Sequence, residues 1–291
     1  KTTNCSYLAR VFSLPLWLVN IFNDIFGFEK TKQICFASNR IPSVFIRTNT
    51  LKTTSADLLD ILIKNSIDAA QVDSTDYIQI RGSRDLFASD CFKNGLFTAQ
   101  DTTAGIVASA LNPKPNQTIL DLCSAPGGKT VHIAQLMQNK GTVIATDIST
   151  DRLNKVAQNK DRLKLTNIQI VNYLQYPKAV ESIGHLDAIL LDVPCSNTAV
   201  MARRPEVRHR ITKRSIAALA QTQTQLMETA HQLTSIYGGF ICYSTCSILP
   251  DENEKIIKTF LDSHSRYTLI FEKLTLPCFR NDNGFDNDGG Y

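Results

Sequence analysis

Thr118-Ile-Leu-Asp-Leu-Cys-Ser-Ala-Pro-Gly-Gly-Lys-Thr130 is the stretch on which the fold turns. An apolar run ends in the carboxylate of Asp121, a loop with paired glycines follows, and helical spacing sets in over 129–138. Strand, glycine turn and helix in this order open a βαβ unit, and in open parallel sheets ligands bind beyond the carboxyl ends of the strands. Paired glycines let the backbone approach a ligand closely, and the amino end of the next helix attracts a carboxylate. The spacing fits neither the Gly-x-Gly-x-x-Gly dinucleotide fingerprint nor a phosphate loop. Cys123, Ser124, Ala125, Pro126, Gly127, Gly128 and Lys129 are the candidate ligand contacts.

Outward from this loop, apolar runs at 142–147, 168–173, 186–192 and 240–245 read as strands, and 150–165, 212–235 and 251–263 have helical spacing. Near-continuous apolar strands imply a sheet buried on both faces, and their alternation with helices predicts an α/β, doubly wound parallel sheet. Upstream, strands at 43–48 and 77–82 flank a helix at 55–65, a small α+β unit of different texture. The expected organisation is a helical segment over 1–40 packed on that unit, the small domain over 41–96, and the larger domain over 97–291. Residues 97–111 are expected to form one helix leading into it.

The chain has 291 residues, 43% hydrophobic and 20% charged, an ordinary globular composition without the charge excess of disordered chains. The apolar stretch 12–28 is interrupted by Pro15, Asn20, Asn23 and Asp24, so it reads as an amphipathic core helix and not a membrane span. Eight cysteines are scattered without a Cys-x-x-Cys doublet, and only Cys242 and Cys246 approach ligand-pair spacing. Reduced thiols, no metal and a cytoplasmic location are the expectation. The net charge of +4 is concentrated: Arg203, Arg204, Arg208, Arg210, Lys213 and Arg214 stand against Glu206 alone, a local +5 that leaves −1 elsewhere. Such a segment suits a polyanionic partner such as nucleic acid, with Arg203, Arg204, Arg208 and Arg210 as candidate phosphate contacts, while the plain alternative is a solvated loop and helix start. The chain opens on Lys1 and stops at 286–291 where a further strand could begin, as a fragment of a longer chain would.

The second strand of the alternating region ends in Asp147. A carboxylate there can hold both hydroxyls of a ribose, although a strand-end aspartate is often a helix cap, a task open also to 149–151. Loop and acid together fit a nucleoside cofactor without a pyrophosphate, namely S-adenosylmethionine. Two later strands run into cysteines, in Asp192-Val-Pro-Cys195 and Ser244-Thr-Cys-Ser247. A thiolate is soft and nucleophilic enough to add to an unactivated aromatic ring near neutral pH. The duller reading of a strand cysteine is a small buried hydrophobe, and Cys5, Cys35, Cys91, Cys242 and Cys278 are read that way.

With those segments in view, the chain resembles the RNA cytosine-5 methyltransferases, and most of all the bacterial Sun/Fmu type that modifies 16S ribosomal RNA. The resemblance rests on 121–130, Asp147, Asp192-x-Pro-Cys195, Arg203-Arg204-Pro205 and Tyr243-Ser-Thr-Cys-Ser-Ile-Leu-Pro-x-Glu-Asn253. It implies a Rossmann-like class I methyltransferase domain preceded by an RNA-recognition-like domain, and a monomer that acts on ribosomal RNA. It implies Cys246 as the nucleophile on carbon 6 of cytosine, and Cys195 as the residue that assists breakdown of the adduct. Asp192 can hydrogen-bond the ring nitrogen and amino group, and Lys129 helps to position the base or lowers the thiol pKa. Asp192 also belongs with the cofactor contacts, as does Asn172, which stands with Tyr173 where the family has an acid. Asn197 and Ala199 replace the family's usual glycines after the Pro-Cys cysteine. These departures keep open an RNA-binding or assembly factor that has lost turnover. A DNA cytosine methyltransferase, with the Pro-Cys cysteine as nucleophile, is a third reading.

Overall fold

The computed structural model describes residues 2–82, 85–279 and 285–291. The chain opens with α1 (Thr2–Val11), α2 (Leu16–Phe26) and α3 (Phe28–Ala37). There follow β1 (Val44–Thr48), α4 (Ser55–Lys64), β2 (Ala69–Gln71), β3 (Tyr77–Ile80), α5 (Asp90–Lys93) and β4 (Phe97–Ala99). These strands form an antiparallel sheet in the order β2-β3-β1-β4. After α6 (Thr102–Leu111) come β5 (Thr118–Asp121), α7 (Gly128–Leu136), β6 (Thr142–Ala145), α8 (Thr150–Leu163), β7 (Ile168–Ile170), α9 (Tyr176–Ile183) and β8 (Ala188–Asp192). The chain continues through α10 (Val207–Arg210), α11 (Lys213–Tyr237), β9 (Phe240–Ser244) and α12 (Glu254–Ser263). The second sheet is parallel at every pairing, in the order β7-β6-β5-β8-β9, and the order reverses at β5. This is the α/β Rossmann-like arrangement, with a small α+β unit before it.

Two compact units are formed, one from 43–193 and 225–244, the other from 1–42, 194–224 and 245–291. In the first, Ile119, Val131, Val143, Val156 and Leu190 are sealed in the core of the parallel sheet, which explains why its strands are apolar on both faces. Local signals then fix the helices. Ser149 accepts the Arg152 amide as N-cap of α8, Asp151 lies in the first turn, and Lys160 and Arg162 in the last. A buried arginine joins α7 to the antiparallel sheet: Arg47 on β1 donates from Nε to Gln100 Oε1 (2.6 Å) and from Nη1 to Gln135 Oε1. Burial pulls its guanidinium down to about 10, and burial together with Arg47 pulls the neighbouring His132 down to about 2.

The expectation of one helix over 97–111 is corrected. Phe97 is fully buried in the core of the small sheet, β4 pairs with β1 (Arg47 opposite Thr98), and Asp101 caps α6 by accepting the Thr103 amide at 2.9 Å. Residues 12–28 likewise hold a helix end, Pro15 and α2, with Gly27 at φ 77 turning the chain into α3. The N-terminal helices belong to the second unit. Leu8, Leu18, Val19, Phe22 and Ile34 share a core with Met201, Val207, Ile211, Ile248 and Leu249, and that core belongs to the second unit. Their apolar faces predicted a partner without specifying which one. The short elements β2, α5, α9 and α10 are additions to the sequence reading.

Candidate active site

In the unit that holds both sheets, the loop from β5 to α7 is tied down at several points. Thr130 donates to Asp121 Oδ2 at 2.7 Å, and the Ser124 amide donates to Thr146 O at 2.9 Å. Asp121 is buried, and desolvation outweighs the Thr130 bond, so its carboxyl is pushed up to about 7. Its second oxygen, Oδ1, has no partner in hydrogen-bond geometry, and neither does Ser124 Oγ. Gly127, at φ 104, is N-cap of α7, which has no side-chain cap; a Cβ there would press on Val156 Cα at 3.2 Å. The Cys123 thiol is pushed well up by burial and by the surrounding carboxylates, which fits contact and not reactivity.

Asp147 is not the helix cap, because Ser149 does that work. Its carboxylate instead accepts the Ala125 amide (3.2 Å) on Oδ2, which also faces Arg152 Nη1 at 3.7 Å, and the Ser149 amide (3.0 Å) on Oδ1, so each oxygen keeps a lone pair for a further donor. Arg152 donates to Ala125 O at 2.5 Å, and Asn159 to Pro126 O at 3.2 Å, pinning the loop from outside. Beyond β7, Asn172 accepts the Leu174 amide at 3.1 Å. Ile148 and Leu174, missed by the sequence reading, expose 82% and 86% of their surface one and two residues after Asp147 and Asn172.

At the ends of β8 and β9, Lys129 Nζ pairs with Asp192 Oδ2 at 2.8 Å while Ser244 donates to Asp192 Oδ1 at 3.0 Å. Lys129 and Asp192 keep 18% and 32% of their side-chain surface exposed, so the pair is structured yet reachable. Register with Asp192 across the two parallel strands gives Ser244 its role, one that the motif around it does not reveal.

The other unit carries the thiols. Cys195 Sγ lies 3.0 Å from Cys246 Sγ, the Cys246 amide donates to Cys195 Sγ at 3.3 Å, and the Cys246 thiol donates to Asn197 Oδ1 at 3.1 Å. Cys195 is buried and Cys246 half-buried. The Cys195 thiol is held well above its usual value, first by its hydrogen bond with Cys246, then by burial and by the negative charges of Cys246 and Glu252. A buried polar knot beneath both cysteine loops went unread in the sequence. Glu252, with no exposed surface, accepts the Ser196 amide (2.8 Å), the Ser196 and Ser247 hydroxyls (2.5 Å each) and Gln223 Nε2 (3.1 Å). Asn253 accepts the Thr245 hydroxyl at 2.6 Å and donates to Ser247 O at 3.0 Å, closing the turn that carries Cys246. A buried hydrogen-bonded network of this kind holds two loops in one arrangement.

The basic segment divides. Arg203 pairs with Asp288, and Arg208 donates to Phe12 O (3.3 Å), Asn39 Oδ1 (2.8 Å) and Ser38 O (3.0 Å). Arg204 and Arg210 are exposed.

A parallel sheet of this order, a glycine loop after its first strand and an acid after its second define the Rossmann-like methyltransferase class. Within it, the family model described as 16S rRNA methyltransferase RsmB/F matches residues 108–283, and that of the RsmF/B-like ferredoxin-like domain matches 14–86. The chain belongs to the RsmB/F family of rRNA methyltransferases. It is 37% identical over 260 residues to a probable ribosomal RNA small subunit methyltransferase B of Synechocystis, covering 88% of this chain and 58% of that protein. It is 34% identical over 258 residues to the human 28S rRNA (cytosine(4447)-C(5))-methyltransferase, covering 86% of this chain and 31% of the relative. A crystal structure of a methyltransferase homologue from Pyrococcus horikoshii superposes with a TM-score of 0.77 at 27% identity, over 96% of this chain and 88% of that one. The chain thus spans a little over half the length of the Synechocystis relative.

Proposed function

We propose that this chain methylates carbon 5 of a cytosine in ribosomal RNA, the 16S molecule by its family's description, through a transient bond between Cys246 and carbon 6. The observation that carries the reading is the pair of sulfurs 3.0 Å apart, one half-buried and one buried, on two loops braced by Glu252. S-adenosylmethionine, when bound, supplies an electrophilic methyl sulfonium. The loop 122–128 and Asp147 would hold it: Asp147 has a lone pair free on each oxygen for ribose hydroxyls, and Ile148 and Leu174 offer aliphatic surface to an aromatic ring. The unpartnered oxygens of Asp121 and Ser124 fit a ligand with both donors and acceptors.

Carbon 5 of cytosine is a poor nucleophile, and addition of a thiolate at carbon 6 turns the ring into an enamine that can accept a methyl group. Asp192, paired with Lys129, accepts from the 4-amino group, and Lys129 carries donor hydrogens for the ring nitrogen as charge builds there. Cys195 begins as a neutral thiol. Once Cys246 has released its own proton to solvent and bonded to carbon 6, neither its charge nor its hydrogen bond holds the Cys195 proton, which leaves to solvent in turn. The Cys195 thiolate can then take the carbon 5 proton while the bond from carbon 6 to the Cys246 sulfur breaks. Arg204 and Arg210 are the proposed phosphate contacts, with Arg203 and Arg208 bracing the segment that presents them.

Incubation of the protein with labelled S-adenosylmethionine and 16S ribosomal RNA, followed by bisulfite sequencing, tests this directly. Label at a single cytosine is the expected result, and unlabelled RNA would count against it. A binding factor without turnover is favoured by one observation, the commitment of Asn172 to the Leu174 amide where the family has an acid. Calorimetry separates the two: no heat of binding for the cofactor or its demethylated product would favour the binding factor.

A further inference from the structure

Asn197 occupies a position that neither the loop chemistry nor the cysteine pair requires to be asparagine. Its backbone is left-handed, at φ 61, a conformation that glycine takes freely and asparagine tolerates better than other side chains. Its side chain is oriented by two bonds. Nδ2 donates to Cys195 O at 2.8 Å, which turns Oδ1 towards the Cys246 thiol at 3.1 Å. The backbone of Cys246 is fixed as well, its amide on Cys195 Sγ (3.3 Å) and its carbonyl accepting the Ala199 amide (3.1 Å).

We propose that Asn197 is a positioning residue whose amide oxygen holds the Cys246 sulfur in its protonated form until substrate engages. An amide oxygen only accepts. It is attracted to S–H and repelled by S⁻, and rotation of the amide to present Nδ2 instead would break the bond to Cys195 O. The sulfur therefore rests as a thiol aimed at Asn197, guarded from oxidation and alkylation, and its ionisation carries an added cost that a glycine here would not impose. Within this unit Cys195 lies against the Cys246 sulfur and Glu252 acts on the cysteine pair by its charge, and both disfavour a second negative charge there. The inference gains its catalytic meaning from the reading of Cys246 as nucleophile, but its test reads the thiol itself.

Full-length wild-type protein, Asn197→Gly and Asn197→Asp are alkylated with iodoacetamide across pH 6 to 10, and the rate at Cys246 is followed by peptide mass spectrometry. Loss of one hydrogen bond to the neutral form should move the midpoint of reactivity down in Asn197→Gly and raise the rate at pH 7 roughly fivefold. Asn197→Asp, nearly the same size but charged, should move the midpoint up. A residue that only shapes the loop would change the rate without moving the midpoint. Coincident midpoints, or shifts in the same direction, overturn the proposal. If Asn197→Gly does not fold, the isosteric Asn197→Asp decides alone, because an unmoved midpoint contradicts an oxygen against the sulfur. Shifted midpoints in a protein that forms no adduct with RNA would sink the methyltransferase reading and leave this inference standing.

Discussion

Glu252 is fully buried and accepts from Ser196, Ser247 and Gln223. Glu252→Ala should lower the unfolding free energy by about 3 kcal/mol or more, since it strands four donors, while Glu252→Gln keeps one acceptor and should cost roughly half that. Urea titration measures both. In sequence this glutamate lies just before a helix, where an acid is ordinarily a first-turn dipole partner, so nothing local marks it as the brace of two loops. Asp121 makes a different prediction. Its folded-state carboxyl is raised to about 7 from 3.8, so the folded protein binds a proton that the unfolded chain has already released. The stability this contributes is complete below pH 4 and is lost as pH rises through 7. The stability of wild type relative to Asp121→Asn should fall by up to about 3 kcal/mol between pH 5 and pH 8, measured by denaturant unfolding at the two values.

The helix α6 owes its seat to a missing side chain. A Cβ on Gly105 would lie 1.7 Å from Tyr77 Oη, the hydroxyl that also reaches Gln100 Oε1 at 3.1 Å. Gly105→Ala should cost about 2–4 kcal/mol and depress the thermal midpoint, because Tyr77 can move only by giving up that bond and disturbing the Arg47 cluster beyond it. The long alternating elements were readable because each encodes its own burial: Ile119 and Leu120, Val143 to Ala145 and Ala188 to Leu191 are apolar on both faces, and the 118–130 loop is punctuated by its glycines. The strand at 97–99 was not readable. It has three residues, its register is imposed by β1 from fifty positions away, and the helix-like 102–111 that follows masks its boundary, although Asp101 was an available start signal.

Arg204 and Arg210 make the prediction that concerns RNA as a whole polyanion. Replacing both by alanine should weaken RNA binding and reduce the slope of log affinity against log salt by about 1.4, as filter binding at several ionic strengths would show. Arg208→Ala should instead lower stability, because its guanidinium holds Phe12, Ser38 and Asn39. Charge counting could see six basic residues between 201 and 214 but could not tell which of them fold the chain. The motif residues were visible from sequence, whereas the partners of the N-terminal helices, nearly two hundred positions downstream, depended on tertiary packing. The central claim is that Cys246 makes the bond to the pyrimidine. Incubation with S-adenosylmethionine and ribosomal RNA containing 5-fluorocytosine, resolved on a denaturing gel, tests it: wild type should form a protein–RNA adduct and Cys246→Ala none. An adduct that persists in Cys246→Ala and disappears in Cys195→Ala would contradict the account.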